Sequence, residues 1–96
     1  MTLEEFKNSI NQQNPPKNIS KNLLALWQDA KGNWDDAHDI VQETSGLDGD
    51  WIHAYLHRKE GDQSNASYWY RRVGKPKPEI SLASEWEDLV VYLLEK

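Results

Sequence analysis

A chain of 96 residues is long enough for one domain with a modest hydrophobic core. It contains no cysteine, which excludes disulfide bonds, thiolate metal sites and a cysteine nucleophile. The net charge of -5 argues against general binding to nucleic acids, and no apolar run is long enough to span a membrane. The first residues lack the basic start and apolar run of a signal peptide. We therefore expect a single cytoplasmic domain over residues 1–96.

The first predicted helix covers residues 2–13. Thr2 and Glu5 have the spacing of a capping box, in which each side chain accepts a hydrogen bond from the other residue's backbone. Pro15 and Pro16 prevent the helix from continuing. Because its apolar stripe is thin, we expect this helix to dock loosely or to act as a lid.

Two helical hairpins are predicted over residues 20–78. The first hairpin has helices at about 21–31 and 34–45, with Ser20 and Asn33 as their N-caps. Apolar residues recur on one side of each helix at the period of an α-helix, so we expect the two helices to pack through these faces.

The second hairpin, residues 51–78, holds more than half of the lysines and arginines and half of the aromatic residues of the chain. Gly61 can adopt the left-handed conformation that ends a helix, and Asp62 directly after it is a favourable N-cap. The segment Asp48-Gly49-Asp50 is predicted to be a turn and a cap that lead into this hairpin.

The last predicted helix covers residues 84–95 and begins with a capping box of Ser84 and Glu87. No segment alternates between apolar and polar residues, so we expect no sheet. The predicted fold class is all-α, with five or six short helices in antiparallel hairpins. The tryptophans are predicted to form a shared aromatic centre, because one lies on the apolar stripe of each of five helices: Trp27, Trp34, Trp51, Trp69 and Trp86.

Residues 21–78 resemble a pair of tetratricopeptide-type repeats. Gly32 and Gly61 are 29 residues apart, and small or apolar residues recur at the same offset. In the second copy the resemblance rests on spacings of four, three and five between Ala66, Tyr70, Val73 and Pro78. The run from Gly61 to Tyr70 is also similar to the shorter Sel1-type repeat. The resemblance implies stacked helical hairpins.

Residues 23–78 also resemble a family of small, uncharacterised proteins. The matching block is HAYLHRKEGD at residues 53–62, then Asn65-Ala66, then YWYRR at residues 68–72, preceded by a Trp34-Asp-x-Ala37-His38 segment. The resemblance implies no activity. It draws attention to a set of polar residues without giving any of them a role: His38, His53, His57, Asn65, Tyr68, Arg71 and Arg72.

His53 and His57 lie one helical turn apart, so both rings can project from one face, with Glu60 three residues further on. Imidazole pairs at this spacing bind Zn²⁺ and similar ions, and a carboxylate can complete the ligand set. His38 and Asp62 are candidates for a further ligand. The alternative is that both histidines make structural hydrogen bonds, to Glu60 or to a neighbouring helix.

Residues 53–78 carry six lysines or arginines and two acids in an otherwise acidic chain. Arginine side chains bind carboxylates and phosphates through two parallel hydrogen bonds, so this region is a candidate site for an anion. The alternative is that the arginines pair with Glu60, Asp62 or the acidic last helix. The candidate ligand-binding residues are His53, His57, Arg58, Asn65, Tyr68, Arg71 and Arg72.

The sequence favours a small helical interaction or adaptor module that binds an acidic peptide or a small anion at the polar face of residues 51–78. The alternative is a small-molecule- or metal-binding protein, conceivably an enzyme, with the same residues around a closed pocket. In an enzyme, His53 or His57 would act as acid–base and Arg71 or Arg72 would stabilise charge. No nucleophile or phosphate-binding motif is present, so we assign no catalytic residue and expect no enzyme. No cofactor is predicted, although zinc is a possible ligand.

Overall fold

The computed structural model describes residues 1–96 as six α-helices without a strand, which confirms the all-α prediction. None of the six has the length and apolar character needed to cross a bilayer. The helices are α1 (Leu3–Ser9), α2 (Lys21–Ala30), α3 (Trp34–Gln42), α4 (Leu47–Glu60), α5 (Gln63–Arg72) and α6 (Leu82–Leu94).

The helices pack in two pairs, and α4 lies at the centre. Helix α2 packs mainly on α3, and α4 packs mainly on α5. The two pairs meet where α3 and α2 contact α4, and α6 lies against α2 and α4. The side chains that fill the middle of this arrangement are fully buried: Leu26, Ile52, Leu56, Leu89 and Val90.

Helix α4 begins earlier than predicted. It starts at Leu47, so the segment Asp48-Gly49-Asp50, predicted as a turn, is its first turn. Gly46, with a φ of 116°, precedes it as the N-cap residue. A Cβ at Gly49 would lie 3.1 Å from the carbonyl oxygen of Thr44. Glycine at this position therefore lets the connection after α3 pass close to the helix.

Several predicted helix ends are confirmed. Thr2 and Glu5 form the capping box, and the Ser20 side chain accepts a hydrogen bond from the backbone of Leu23. Gly61 is left-handed with a φ of 91°, and Asp62 caps α5. These local signals depend only on neighbouring residues, which explains why they can be predicted from the sequence.

Other helix ends differ from the predictions. Helix α1 ends at Ser9 instead of residue 13, and α3 ends at Gln42 instead of residue 45. Asn33 makes no capping hydrogen bond, because its amide donates to the Gln28 side chain at 2.8 Å.

The last helix starts at Leu82, with Ser81 as its cap in place of the predicted box of Ser84 and Glu87. The Ser81 side chain accepts a hydrogen bond from the backbone of Ser84 at 3.1 Å. Glu87 is then free to pair with Lys7 of α1.

Helix α1 is anchored to the fold, mainly by Phe6, instead of docking loosely. Phe6 is fully buried, and its ring lies 5.9 Å from that of Trp86 on α6. The tryptophans also differ from the prediction, because no aromatic contact joins two indole rings. Four of the five instead contact histidine, phenylalanine or tyrosine, and Trp27 makes no aromatic contact.

Candidate functional site

All three histidines of the chain meet between α3 and α4. His53 and His57 lie on successive turns of α4, and His38 comes from α3. Nε2 of His53 lies 3.0 Å from Nε2 of His38, and one ring nitrogen from each histidine lies within 4.8 Å of the other two. The packing of α3 on α4 therefore brings the predicted pair together with His38, one of the two further ligands considered from the sequence.

Two indole rings hold this cluster from either side. Trp34 stacks on His38, with ring centroids 4.9 Å apart and an interplanar angle of 10°. Trp69 of α5 stacks on His53 at 3.9 Å and 12°. Trp34 is itself fixed by a hydrogen bond from Nε1 to the carbonyl oxygen of Leu56. Packing thus sets the orientation of two imidazoles before any ligand binds.

Burial favours the neutral form of two of the three histidines. His53 and His57 are each 6% exposed. Burial, reinforced by the neighbouring histidines, lowers the pKa of His53 to about 4. Burial, with the neighbouring His57, also lowers the pKa of His38. His38 and His53 therefore carry neutral imidazoles at pH 7, which is the form that binds metal ions.

Glu60 lies beside the cluster and contacts one of its members. Its Oε2 lies 2.7 Å from Nδ1 of His57, one helical turn away. This contact uses Nδ1 and leaves Nε2 of His57 without a hydrogen-bond partner in the protein. A carboxylate that receives the second ring proton of a metal-binding histidine fixes the tautomer and raises the basicity of the ligand. Glu60, which the sequence suggested as a metal ligand, is thus placed to orient the ligand His57.

Asp62, the other carboxylate considered as a ligand, is engaged at the start of α5. Its side chain accepts a hydrogen bond from the backbone of Asn65 at 3.2 Å. Its carboxylate also lies within 4.8 Å of ligand atoms of His57 and Glu60. Asp62 is therefore near the outer edge of the site, and its hydrogen bond is that of an N-cap.

The arginines and polar residues considered for anion binding separate into groups. Arg58 is directed to α6, where Nη1 donates to Glu85 at 2.8 Å and Nη2 donates to the carbonyl oxygen of Ile80. Arg72 lies over the rings of Tyr68 and Trp69 and contacts Asp50 at 3.4 Å. The structure thus places Arg58 and Arg72 with different partners, in different parts of the central hairpin.

The remaining two candidates, Asn65 and Arg71, make fewer contacts. The amide of Asn65 lies 3.5 Å from the carboxylate of Asp62, and Arg71 is exposed without an ion-pair partner. Tyr68 is 49% exposed, with its ring edge-on to Trp69. Of the seven residues, only His53 and His57 join His38, and Tyr68 and Arg72 lie together beyond Trp69.

Sequence reasoning missed two buried carboxylates. Glu85 is 2% exposed and accepts hydrogen bonds from the Tyr70 hydroxyl, from Nε1 of Trp51 and from Arg58. Asp29 is buried to the same extent and accepts from the Tyr55 hydroxyl at 3.0 Å and from Lys59 at 2.9 Å. Burial raises the pKa of both tyrosines, so their hydroxyls remain donors.

A signal for these carboxylates exists in the helical spacing. Glu85 lies four residues before Leu89 and eight before Leu93, on the buried side of α6. Asp29 lies three residues after Leu26. A charged residue in register with an apolar stripe predicts a buried, paired charge.

Comparisons with protein families, curated proteins and solved structures find no match for this chain. The tetratricopeptide-like arrangement therefore stays a prediction. Any assignment of function therefore rests on the residues of the chain itself. Among the candidate residues, the three histidines form the cluster whose geometry best suits a ligand.

Proposed function

We propose that the protein binds a divalent transition-metal ion of the zinc type through His38, His53 and His57. The observation that carries this proposal is the convergence of three imidazoles from two helices, two of them buried and one partly buried, with ring nitrogens within 4.8 Å of one another. A tetrahedral Zn²⁺ with Zn–N bonds of about 2.05 Å holds its nitrogen ligands about 3.3 Å apart. The 3.0 Å separation of His38 and His53 is close to that spacing.

The environment of His57 favours an ion over a purely structural role. Without an ion, His38 and His53 satisfy each other, since one Nε2 donates and the other accepts. His57 contacts Glu60 through Nδ1, and its Nε2 makes no hydrogen bond within the protein. A third imidazole that contacts a carboxylate through one nitrogen and leaves the other nitrogen without a partner matches the needs of a metal site.

The ligand atoms define the class of ion. Three neutral imidazoles suit Zn²⁺, Cu²⁺, Ni²⁺ and Co²⁺, whereas Mg²⁺ and Ca²⁺ prefer oxygen ligands. The chain has no cysteine to select a softer ion. We therefore expect Zn²⁺ and Co²⁺ to bind and Mg²⁺ to leave the protein unchanged.

Equilibrium dialysis and calorimetric titration with Zn²⁺ test the proposal. Wild type should take up one ion per chain. His38→Ala should lose this uptake while retaining its helical circular-dichroism spectrum, because His38 is only partly buried on the outer pair of helices. Glu60→Gln should bind about 10- to 100-fold more weakly, since it changes only the group that orients His57.

The matched control is Glu43→Gln, which removes an exposed carboxylate outside both clusters of potential ligands. Its affinity should equal that of wild type. Equal affinity of His38→Ala and wild type would show that any ion binds elsewhere. Thermal unfolding gives a second measure, because a ligand at 100 times its Kd stabilises the native state by about 2.7 kcal/mol.

A second candidate function is binding of an acidic peptide or small anion, which would make the chain a cytoplasmic adaptor. The observation that favours it is a set of basic side chains without an acidic partner at the end of α5 and in the following segment: Arg71, Lys75 and Lys77. Fluorescence anisotropy with a labelled poly-glutamate peptide tests this candidate. Arg71→Glu combined with Lys77→Glu should weaken binding at least tenfold, and an unchanged affinity would reject this surface.

A further inference from the structure

We infer that the ion bound by the three histidines keeps a fourth coordination position that takes water or a small anion and exchanges it with solvent. This inference rests on the metal binding proposed above. Structural zinc sites use four protein ligands, whereas sites that bind an external ligand use three and leave the fourth position open. The group of potential ligands around His38 and His53 consists of the three histidines, whereas Glu60 and Asp62 form a second group that shares only His57 with it.

The carboxylates nearest to the cluster are held in other contacts. Glu60 contacts Nδ1 of His57, on the side of that ring opposite Nε2, so it cannot reach the same ion while keeping this contact. Asp50 precedes His53 by three residues on α4, and its carboxylate lies 3.4 Å from Arg72. The Asp62 carboxylate lies within 4.8 Å of a ligand atom of His57 and accepts the N-cap hydrogen bond from the backbone of Asn65. None of the three carboxylates supplies the fourth ligand in the observed arrangement.

The other groups against the cluster cannot coordinate an ion. Trp34 and Trp69 present the faces of their indole rings to His38 and His53. Indole nitrogen donates a hydrogen bond and has no lone pair for a metal. Nε1 of Trp34 is directed to the carbonyl oxygen of Leu56. The fourth position is therefore left to a molecule from solvent.

A cavity of about 350 Å³ borders the cluster at His53 and offers such a molecule a route to that side of the site. It lies where α3, α4 and α5 meet, and His53 and Trp69 form part of its wall together with Val41, Gln42, Thr44 and Asp50. This volume holds several water molecules or one small anion. It is open to solvent, so exchange does not require the helices to separate.

Charge favours an anion in this position. Three neutral imidazoles leave the full charge of a divalent ion uncompensated. Asp50 also lines the cavity, but its carboxylate pairs with Arg72, so these two residues together add no net charge beside the ion. We therefore assign the position to small monovalent anions with a nitrogen or oxygen donor, such as azide, bicarbonate and hydroxide.

Visible absorption of the Co²⁺-loaded protein tests the inference, because the d–d bands of Co²⁺ respond to a change in one ligand. Adding sodium azide should shift these bands in a saturable way, with sodium chloride at equal ionic strength as the control. The same response is expected for Glu60→Gln, although that variant binds Co²⁺ about 10- to 100-fold more weakly.

Three other outcomes separate the inference from the proposed metal site. Bound Co²⁺ whose spectrum ignores azide in both proteins means a closed fourth position and overturns the inference. A response seen only in Glu60→Gln means that Glu60 occupies the position in wild type, which also overturns it. A failure of wild type to take up Co²⁺ or Zn²⁺ would remove the metal site itself and the inference with it.

Discussion

Replacing Glu85 by glutamine should destabilise the protein strongly, although Gln has nearly the same volume. The Glu85 carboxylate accepts hydrogen bonds from Tyr70, Trp51 and Arg58 at 2.7 to 3.1 Å, and it is almost completely buried. The change removes the charge that Arg58 pairs with and turns an amide donor toward groups that also donate. Breaking a buried ion pair on one side costs about 3–5 kcal/mol.

The structure places the expected loss near the lower end of that range. The Arg58 side chain is 15% exposed and keeps its hydrogen bond to the carbonyl oxygen of Ile80, so water and backbone compensate part of its charge. We expect a loss of about 3 kcal/mol in the free energy of unfolding. With an m-value of about 1.5 kcal/mol/M, the urea midpoint falls by about 2 M.

Urea unfolding followed by far-ultraviolet circular dichroism measures this shift. Glu87→Gln is the matched control, because Glu87 lies on the same helix and pairs with Lys7 at the surface. Its midpoint should equal that of wild type, since exposed ion pairs contribute little. A shift for Glu85→Gln as small as that of Glu87→Gln would refute the reasoning that burial gives this carboxylate its importance.

Three further predictions concern the metal-free protein. Lowering the pH from 6.5 to about 4 should reduce the free energy of unfolding by about 3 kcal/mol. The reason is that His53 takes up a proton near pH 6.5 in the unfolded chain, whereas in the folded protein, where it is buried beside His38 and His57, its pKa is about 4. The neutral His53 contributes this stability in full above pH 6.5. The urea midpoint of His53→Gln should therefore fall less between pH 6.5 and 4 than that of wild type, and the same pH profile in both proteins would contradict the assignment. Phe6→Ala should cost about 3–5 kcal/mol in urea unfolding, and an unchanged midpoint would mean that α1 detaches at no cost. Gly61→Ala should cost about 1–2 kcal/mol in thermal unfolding because of the positive φ, whereas the exposed Ser64→Ala should not; equal melting temperatures would contradict the strain.

Much of the fold could be predicted because its signals are local. The turn at Gly61 and Asp62, the cap at Ser20 and the capping box at Thr2 each depend on residues within one helical turn. The ends that were wrong depend on distant partners or on competition between neighbours. The Asn33 side chain donates a hydrogen bond to Gln28 and does not cap α3. The close approach of Thr44 to Gly49 results from tertiary packing.

The candidate site shows the same division. The spacing of His53 and His57 predicts that they share a helix face, and the sequence alone identified that pair. It gave no reason to prefer His38 over Asp62 as their partner, since that depends on how α3 packs on α4. The spacing also could not show that α3 and α5 bury the face of α4 that carries the two histidines.

The position of Glu85 in the chain bears on the order in which the protein can fold. Its partners Trp51, Arg58 and Tyr70 all belong to the central hairpin, yet the carboxylate that satisfies them arrives with the last helix. During translation all residues of the hairpin are synthesised before Glu85, so its donors must hydrogen-bond to water until the last helix is made. A chain that stops before residue 85 would keep them hydrated and its helices loosely assembled. Closure by α6 therefore makes folding cooperative over almost the whole length of the molecule.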